Sequence, residues 1–192
     1  MGFLSILSFA HHLVKERTAS GDAVIDATMG NGNDMLFLTE QVGSEGTVYG
    51  FDIQPQALEQ TRAKLEQAGV YREERIHLYL QNHEFMLDTL PHGLFGRIAA
   101  VMFNLGYLPG HNHGIITRPE STLPALQAAL QLLKNGGILT IVLYSGHEGG
   151  KRETEAVLDW AARLSQASYQ VLRYGFLNQK NDPPFLIAIE KR

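Results

Sequence analysis

Hydrophobic positions along the chain fall into two kinds of run that take turns. Short, almost unbroken apolar runs read as strands covered on both faces, and longer stretches with apolar residues three and four apart read as amphipathic helices. In order, the pattern predicts a helix over 4–18, with Leu4, Leu7, Leu13 and Val14 among its apolar positions, and a strand in DAVIDAT (22–28). A helix over 33–42 and a strand in TVYGFDI (47–53) follow, then a helix from Pro55, which suits a first helical turn, to about Ala68. RIHLYLQ (75–81) is a third strand, and IAAVMFNLG (98–106), nearly all apolar, is a fourth and central one. A helix over 120–133 stops at NGG, ILTIVLYS (138–145) is a fifth strand, and a helix over 153–165 sets Trp160 and Leu164 on one face. YQVLRYGFL (169–177) and FLIAIEK (185–191) are two final strands.

Strand–helix alternation implies an α/β fold, a parallel sheet with helices on both faces. The last two strands are joined by NQKNDPP with no room for a crossover helix, so they should run antiparallel. The expectation is one Rossmann-like domain over 1–192, a seven-stranded, mostly parallel sheet ending in an antiparallel hairpin. An exposed terminal strand would also permit a homodimer.

Composition narrows this little. Hydrophobic residues make up 44% and charged residues 19%, an ordinary globular balance. The absence of cysteine excludes a disulfide framework, a thiolate metal site and a cysteine nucleophile, and fits a cytoplasmic protein. No apolar run approaches the ~20 residues of a membrane span. The first residues carry no basic leader, and His11 and His12 interrupt their apolar stretch, so they do not read as a secretory signal. The formal net charge of −4 argues against a broadly basic nucleic-acid surface and leaves room for a local basic rim.

The candidate chemistry begins at DATMGNGND (26–34). In an open α/β sheet, ligands bind at the carboxyl ends of the strands beside strand one, where this loop lies. Gly30 and Gly32 would let the backbone turn and approach a ligand. The dinucleotide fingerprint fails, because Met35 stands where a third glycine belongs. Asp34, in the first turn of the following helix, would repel a pyrophosphate, and Asp26 at the strand end would add to that repulsion. A cationic adenosyl ligand without phosphate, S-adenosyl-L-methionine, meets no such conflict. Asp52, ending strand two, can accept from both ribose hydroxyls, Gln54 is within reach of the same edge, and Asn82 and His83 follow strand three where adenine would lie. Each residue alone has a bland reading, Asp26 as a turn cap and Asp34 as a helix-dipole partner. Their joint placement after three successive strands points to a ligand.

DATMGNGND, YGFDIQPQAL, QNHE and FNLGYLPG together resemble a family of class I methyltransferases filed as rRNA methylases and associated with modification of tRNA wobble uridine. The similarity runs through the terminal NQKNDPPFLIAIEKR. Thr28 departs from the first glycine of the general methyltransferase loop and matches the family's own version. The resemblance implies that Asn31, Asn33, Asp52, Gln54, Asn82 and His83 contact the cofactor. It also implies a tRNA anticodon loop as partner and conversion of 5-aminomethyl-(2-thio)uridine to 5-methylaminomethyl-(2-thio)uridine.

NLGY (104–107) ends strand four, beside the expected methyl group. The amide oxygen of Asn104 suits acceptance of an amine's hydrogens, aiming its lone pair in line with the departing sulfur. Tyr107 would stack on a base or shape the sulfonium pocket. A substrate amine must lose a proton first; Asp34 and His83 are conceivable acceptors, and the sequence places neither. Arg118, Lys151, Arg152 and Lys180 lie in loops on the same rim and could meet phosphates, or could be ordinary surface charges. His111, His113 and His147 have no supporting carboxylate cluster, so no metal is expected. rRNA or a small-molecule amine as substrate, and a non-catalytic adenosyl-binding module on the same fold, stay open at this point.

Overall fold

The computed structural model describes residues 2–106, 117–146 and 149–192. Seven strands form one sheet: β1 (Ala23–Asp26), β2 (Thr47–Asp52), β3 (Ile76–Leu80), β4 (Ile98–Leu105), β5 (Leu133–Leu143), β6 (Tyr169–Tyr174) and β7 (Phe185–Lys191). Their order is β3-β2-β1-β4-β5-β7-β6. The first five are parallel, and β7 inserts antiparallel between β5 and β6. β6 is therefore an edge, with Val171 and Leu172 exposed.

The helices are α1 (Ile6–Lys15), α2 (Asn33–Val42), α3 (Pro55–Gln67), α4 (Met86–Thr89), α5 (Pro119–Leu132) and α6 (Gly150–Ala162). Two cores sandwich the sheet. One joins Val24, Val48 and Met102 to α1, α2 and α3 through Ile6, Ala10, Val14, Met35, Leu38 and Leu65. The other joins Ile25, Phe51, Phe103 and Ile141 to α4, α5 and α6 through Met86, Leu126, Ala129 and Val157. Val24 and Ile25 are neighbours in sequence and serve opposite cores, as the two-residue period of a strand requires.

The expected elements are present with ends shifted by a few residues, and the structure departs from expectation at two places. Between β3 and β4 the chain makes single turns at His83–Phe85, Met86–Thr89 and His92–Leu94 where no helix was expected. α5 also passes directly into β5 at Leu133. Ile98 pairs with Leu133 and Ala100 with Ile138, so the residues between them, including the NGG expected to end the helix, are accommodated in a bulge.

Candidate active site

The sheet order reverses between β1 and β4, and a cleft of about 550 Å³ opens there at the carboxyl ends of the strands. Its size suits a small organic ligand. The loop after β1 forms its floor and is bonded to all three neighbouring strand ends. Gly30 N–H donates to Asp52 Oδ2 at 3.0 Å, tying the loop to β2. His83, past β3, contacts the Ala27 carbonyl through Nδ1 at 3.1 Å. Asn104 N–H donates to Thr28 Oγ1 at 2.8 Å, tying β4 to the loop. Thr28, the departure from the general loop, is thus a strut between β1 and β4.

Among the residues singled out from the sequence, Gly30, Asn31, Asn33, Asp52, Gln54, Asn82, His83, Asn104 and Arg118 line this cleft. Asp52 accepts from Gly30 N–H and, through Oδ1, from Gln54 N–H at 3.0 Å. Burial pushes its carboxyl up, against those backbone bonds, which pull it down. A carboxylate has about four lone-pair sites, so Asp52 retains acceptor capacity toward the cleft. Asn82 caps the following turn, its side chain accepting from Glu84 N–H at 3.1 Å. Burial lowers His83 to a pKa of about 4, so its ring is neutral at pH 7. Nδ1 must then carry the hydrogen given to Ala27, and Nε2 is an acceptor with no partner among the described residues.

Two of the expected cofactor contacts are corrected. Asp26 is fully buried beneath the loop and does not line the cleft. Its side chain accepts from Thr28 N–H at 3.1 Å, and burial, then the Asp34 charge, raise its pKa well above the carboxylate range. A carboxyl pushed toward its neutral form adds little of the repulsion expected of it. Gly32 is also outside the lining. Its φ is +74°, and a Cβ there would come within 2.8 Å of the Thr61 backbone, so this glycine serves the close approach of α2 to α3.

In the same cleft, Asp34 in the first turn of α2 meets Asn104 near the end of β4. Asn104 Nδ2 donates to Asp34 Oδ2 at 2.6 Å. A carboxylate only accepts, which fixes which end of the amide faces it. Asn104 Oδ1 is left buried without a partner among the described residues. Of the two conceivable proton acceptors, Asp34 lies beside Asn104, and His83 is a weak base. Tyr107, His111, His113 and His147 lie outside the described residues. Among the described residues, no group of three metal-ligating side chains is present, and no helix is long and apolar enough to cross a membrane.

The basic rim is only partly assembled. Arg118 lines the main cleft, and Arg152 lines an adjoining hollow of about 320 Å³ that shares Thr117 and Arg118. Arg152 pairs with Glu120. Lys151 lies 3.9 Å from Asp182, and neither it nor the exposed Lys180 lines either hollow, contrary to expectation. Glu153, 2% exposed at the start of α6, accepts from the hydroxyls of Thr117 and Thr122 at 2.6 Å each and ties this rim to α5. Sequence reasoning missed that clamp and three wall residues, Leu7, Ile53 and Tyr144. Ile53 and Tyr144 each directly follow a strand's carboxyl end, a signal that could have found them. Burial, then the Asp34 charge, raises the Tyr144 phenol and keeps it protonated.

Known proteins share the sequence and the fold of this chain. The model of the family described as "Putative rRNA methylase" matches residues 48–190. The chain is 40% identical over 189 residues to the Arabidopsis thaliana tRNA (mnm(5)s(2)U34)-methyltransferase, chloroplastic, covering 95% of this chain and 68% of that protein. Among solved structures, a "putative rRNA-methylase" from Clostridium thermocellum superposes with a TM-score of 0.94 at 42% identity, covering both chains completely. SMU.1697c, described as "a putative methyltransferase" from Streptococcus mutans in complex with SAH, does so with a TM-score of 0.88 at 38% identity, again over both whole chains. The sheet order, the acid-lined cleft and these likenesses agree, and the chain belongs to this rRNA methylase family of class I methyltransferases.

Proposed function

We propose that this S-adenosyl-L-methionine-dependent methyltransferase acts on tRNA, methylating the amine of a 5-aminomethyl-(2-thio)uridine at the wobble position to give 5-methylaminomethyl-(2-thio)uridine. The observation that carries the reading is Asn104. Its Nδ2 is committed to Asp34, and its buried Oδ1 has no partner among the described residues. An unspent buried acceptor in an active-site cleft suits a substrate that donates N–H. The Arabidopsis relative is named for the same wobble nucleoside, which supplies the substrate class.

The residues present fit the cofactor. Asp52 has acceptor sites for ribose hydroxyls, the Nε2 of His83, without a partner among the described residues, suits the exocyclic amine of adenine, and the half-exposed Ile53 offers an apolar face to the ring. Gly30, Asn31 and Asn33 present the loop to the amino-acid tail, near the negative charge of Asp34. When bound, S-adenosyl-L-methionine supplies an electrophilic methyl group on a sulfonium. Asn104 Oδ1 then orients the substrate nitrogen by accepting one of its hydrogens, and positioning supplies most of the rate. The substrate amine must meet Asn104 in its neutral form, because the ammonium has no lone pair for attack. Arg118 and Arg152 face the approaching phosphates from the two hollows.

The test is to incubate the protein with methyl-labelled S-adenosyl-L-methionine and tRNA from cells lacking this activity, then analyse the nucleosides by mass spectrometry. One labelled methyl on 5-aminomethyluridine species is expected. Label on another nucleoside, on rRNA or only on a small-molecule amine would overturn the substrate assignment.

A further inference from the structure

The Asp34 carboxylate is held from two sides by residues distant in sequence. Oδ2 accepts from Asn104 Nδ2 at 2.6 Å, and Oδ1 lies 2.6 Å from His11 Nε2. At that separation from a carboxylate oxygen, the ring nitrogen carries the hydrogen and donates it. His11 is itself fixed: its ring lies flat on Phe37 of α2, with centroids 3.9 Å apart and planes 2° apart. α1 beneath it is anchored by buried Ile6, Ala10 and Val14. An imidazole from α1, a carboxylate from α2 and an amide from β4 therefore form one line ending at Asn104. His11 and Asp34 both precede the stretch that the family model matches.

We propose that His11 is a positioning residue for methyl transfer, acting through Asp34 to hold the Asn104 amide with its oxygen free for the substrate amine. The proposal rests on the acceptor role given to Asn104 above. Turned end for end, Asn104 would set its oxygen against the carboxylate and offer an amino group to a nucleophile that needs an acceptor. Asp34 selects the productive orientation only while its own carboxylate is held, and the bond from His11 holds it. A misplacement of about 1 Å at the reacting centre costs roughly a hundredfold in rate, so a loosened carboxylate should be felt in turnover.

The test compares His11→Phe, which keeps the ring stack on Phe37 and removes the donor, with His11→Gln, whose amide restores an N–H. His11→Phe should lower kcat by about tenfold or more while His11→Gln recovers most of it. The dissociation constant for S-adenosylhomocysteine should stay within about twofold in both, and in an Asn104→Ala background His11→Phe should cost less than about twofold more. Equal turnover for the Phe and Gln variants, or a full loss that persists without Asn104, would overturn the proposal. If His11→Phe does not fold, His11→Leu carries the same comparison. A second readout is independent of turnover: the Asn104 side-chain amide signals in the protein bound to S-adenosylhomocysteine, identified by their absence from Asn104→Ala. They should shift and exchange faster in His11→Phe and stay in place in His11→Gln; unchanged signals in His11→Phe would contradict the proposal. If the wild-type protein leaves 5-aminomethyluridine tRNA unmethylated, the proposed function fails, and the amide signals still decide the role of His11.

Discussion

Around the cleft assigned to the cofactor, one loop is bonded to three strand ends, through Asp52, His83 and Thr28, with His83 buried and Asp52 half-buried. On the rim assigned to tRNA, charged groups stand in solvent. Arg152 and Glu120 have side chains 73% and 59% exposed. An exposed pair of this kind is weak in water, so it exchanges partners easily. The difference matches the ligands. A small adenosyl compound is gripped best by preformed acceptors, whereas phosphates on a large RNA can displace carboxylate partners from arginines already on the rim. Glu153 is the exception that keeps the second rim in place, a buried carboxylate spent on two threonine hydroxyls.

This contrast predicts a graded set of effects. The largest falls on Asp52→Ala. It removes the acceptor of two backbone N–H groups and of the proposed ribose contacts, each bond to a charged group contributing about 1.5–3 kcal/mol. Affinity for S-adenosylhomocysteine, read by calorimetry, should fall by about a hundredfold or more.

His83 gives the next effect, in stability against pH. The unfolded chain takes up a proton at this residue below its ordinary pKa of 6.5, and the folded chain only below about 4. Stability from the neutral ring is present above pH 6.5 and is lost as pH falls from there toward 4, by on the order of 3 kcal/mol in all. Urea unfolding at pH 7 and pH 5 should show this slope in the wild type and a shallower one in His83→Gln.

Thr28→Val strands the buried Asn104 N–H and should cost about 1–3 kcal/mol of stability, read by urea unfolding. The smallest effect belongs to the solvated rim. Arg152→Ala should raise KM for tRNA only a few-fold and flatten its salt dependence by about one phosphate contact, with cofactor affinity unchanged.

Much of the fold was legible because each strand is a compact apolar run and each long helix has room to show its period. The chain from 81 to 97 was not, since single turns such as His83–Phe85 are too short to display any period. Cleft-lining residues were legible where they stand at or just past a strand end, as Asp52, Asn82 and Asn104 do. The site was not legible where function depends on three-dimensional pairing. The bond between His11 and Asp34 spans 23 positions and that between Asp34 and Asn104 spans 70, and no local pattern announces either. Gly32 carries a reason that the motif does not announce, the close approach of the α3 backbone at Thr61.

On the proposed reading, Asp52 and His83 serve cofactor binding and Asn104 serves methyl transfer. The most direct measurement takes Asn104→Ala and determines, on the same sample, its affinity for S-adenosylhomocysteine and its single-turnover rate of methyl transfer to 5-aminomethyluridine tRNA. The account predicts a rate lowered by about a hundredfold or more with affinity changed by less than about threefold. A rate near that of the wild type, or a loss of affinity as large as the loss of rate, would contradict it.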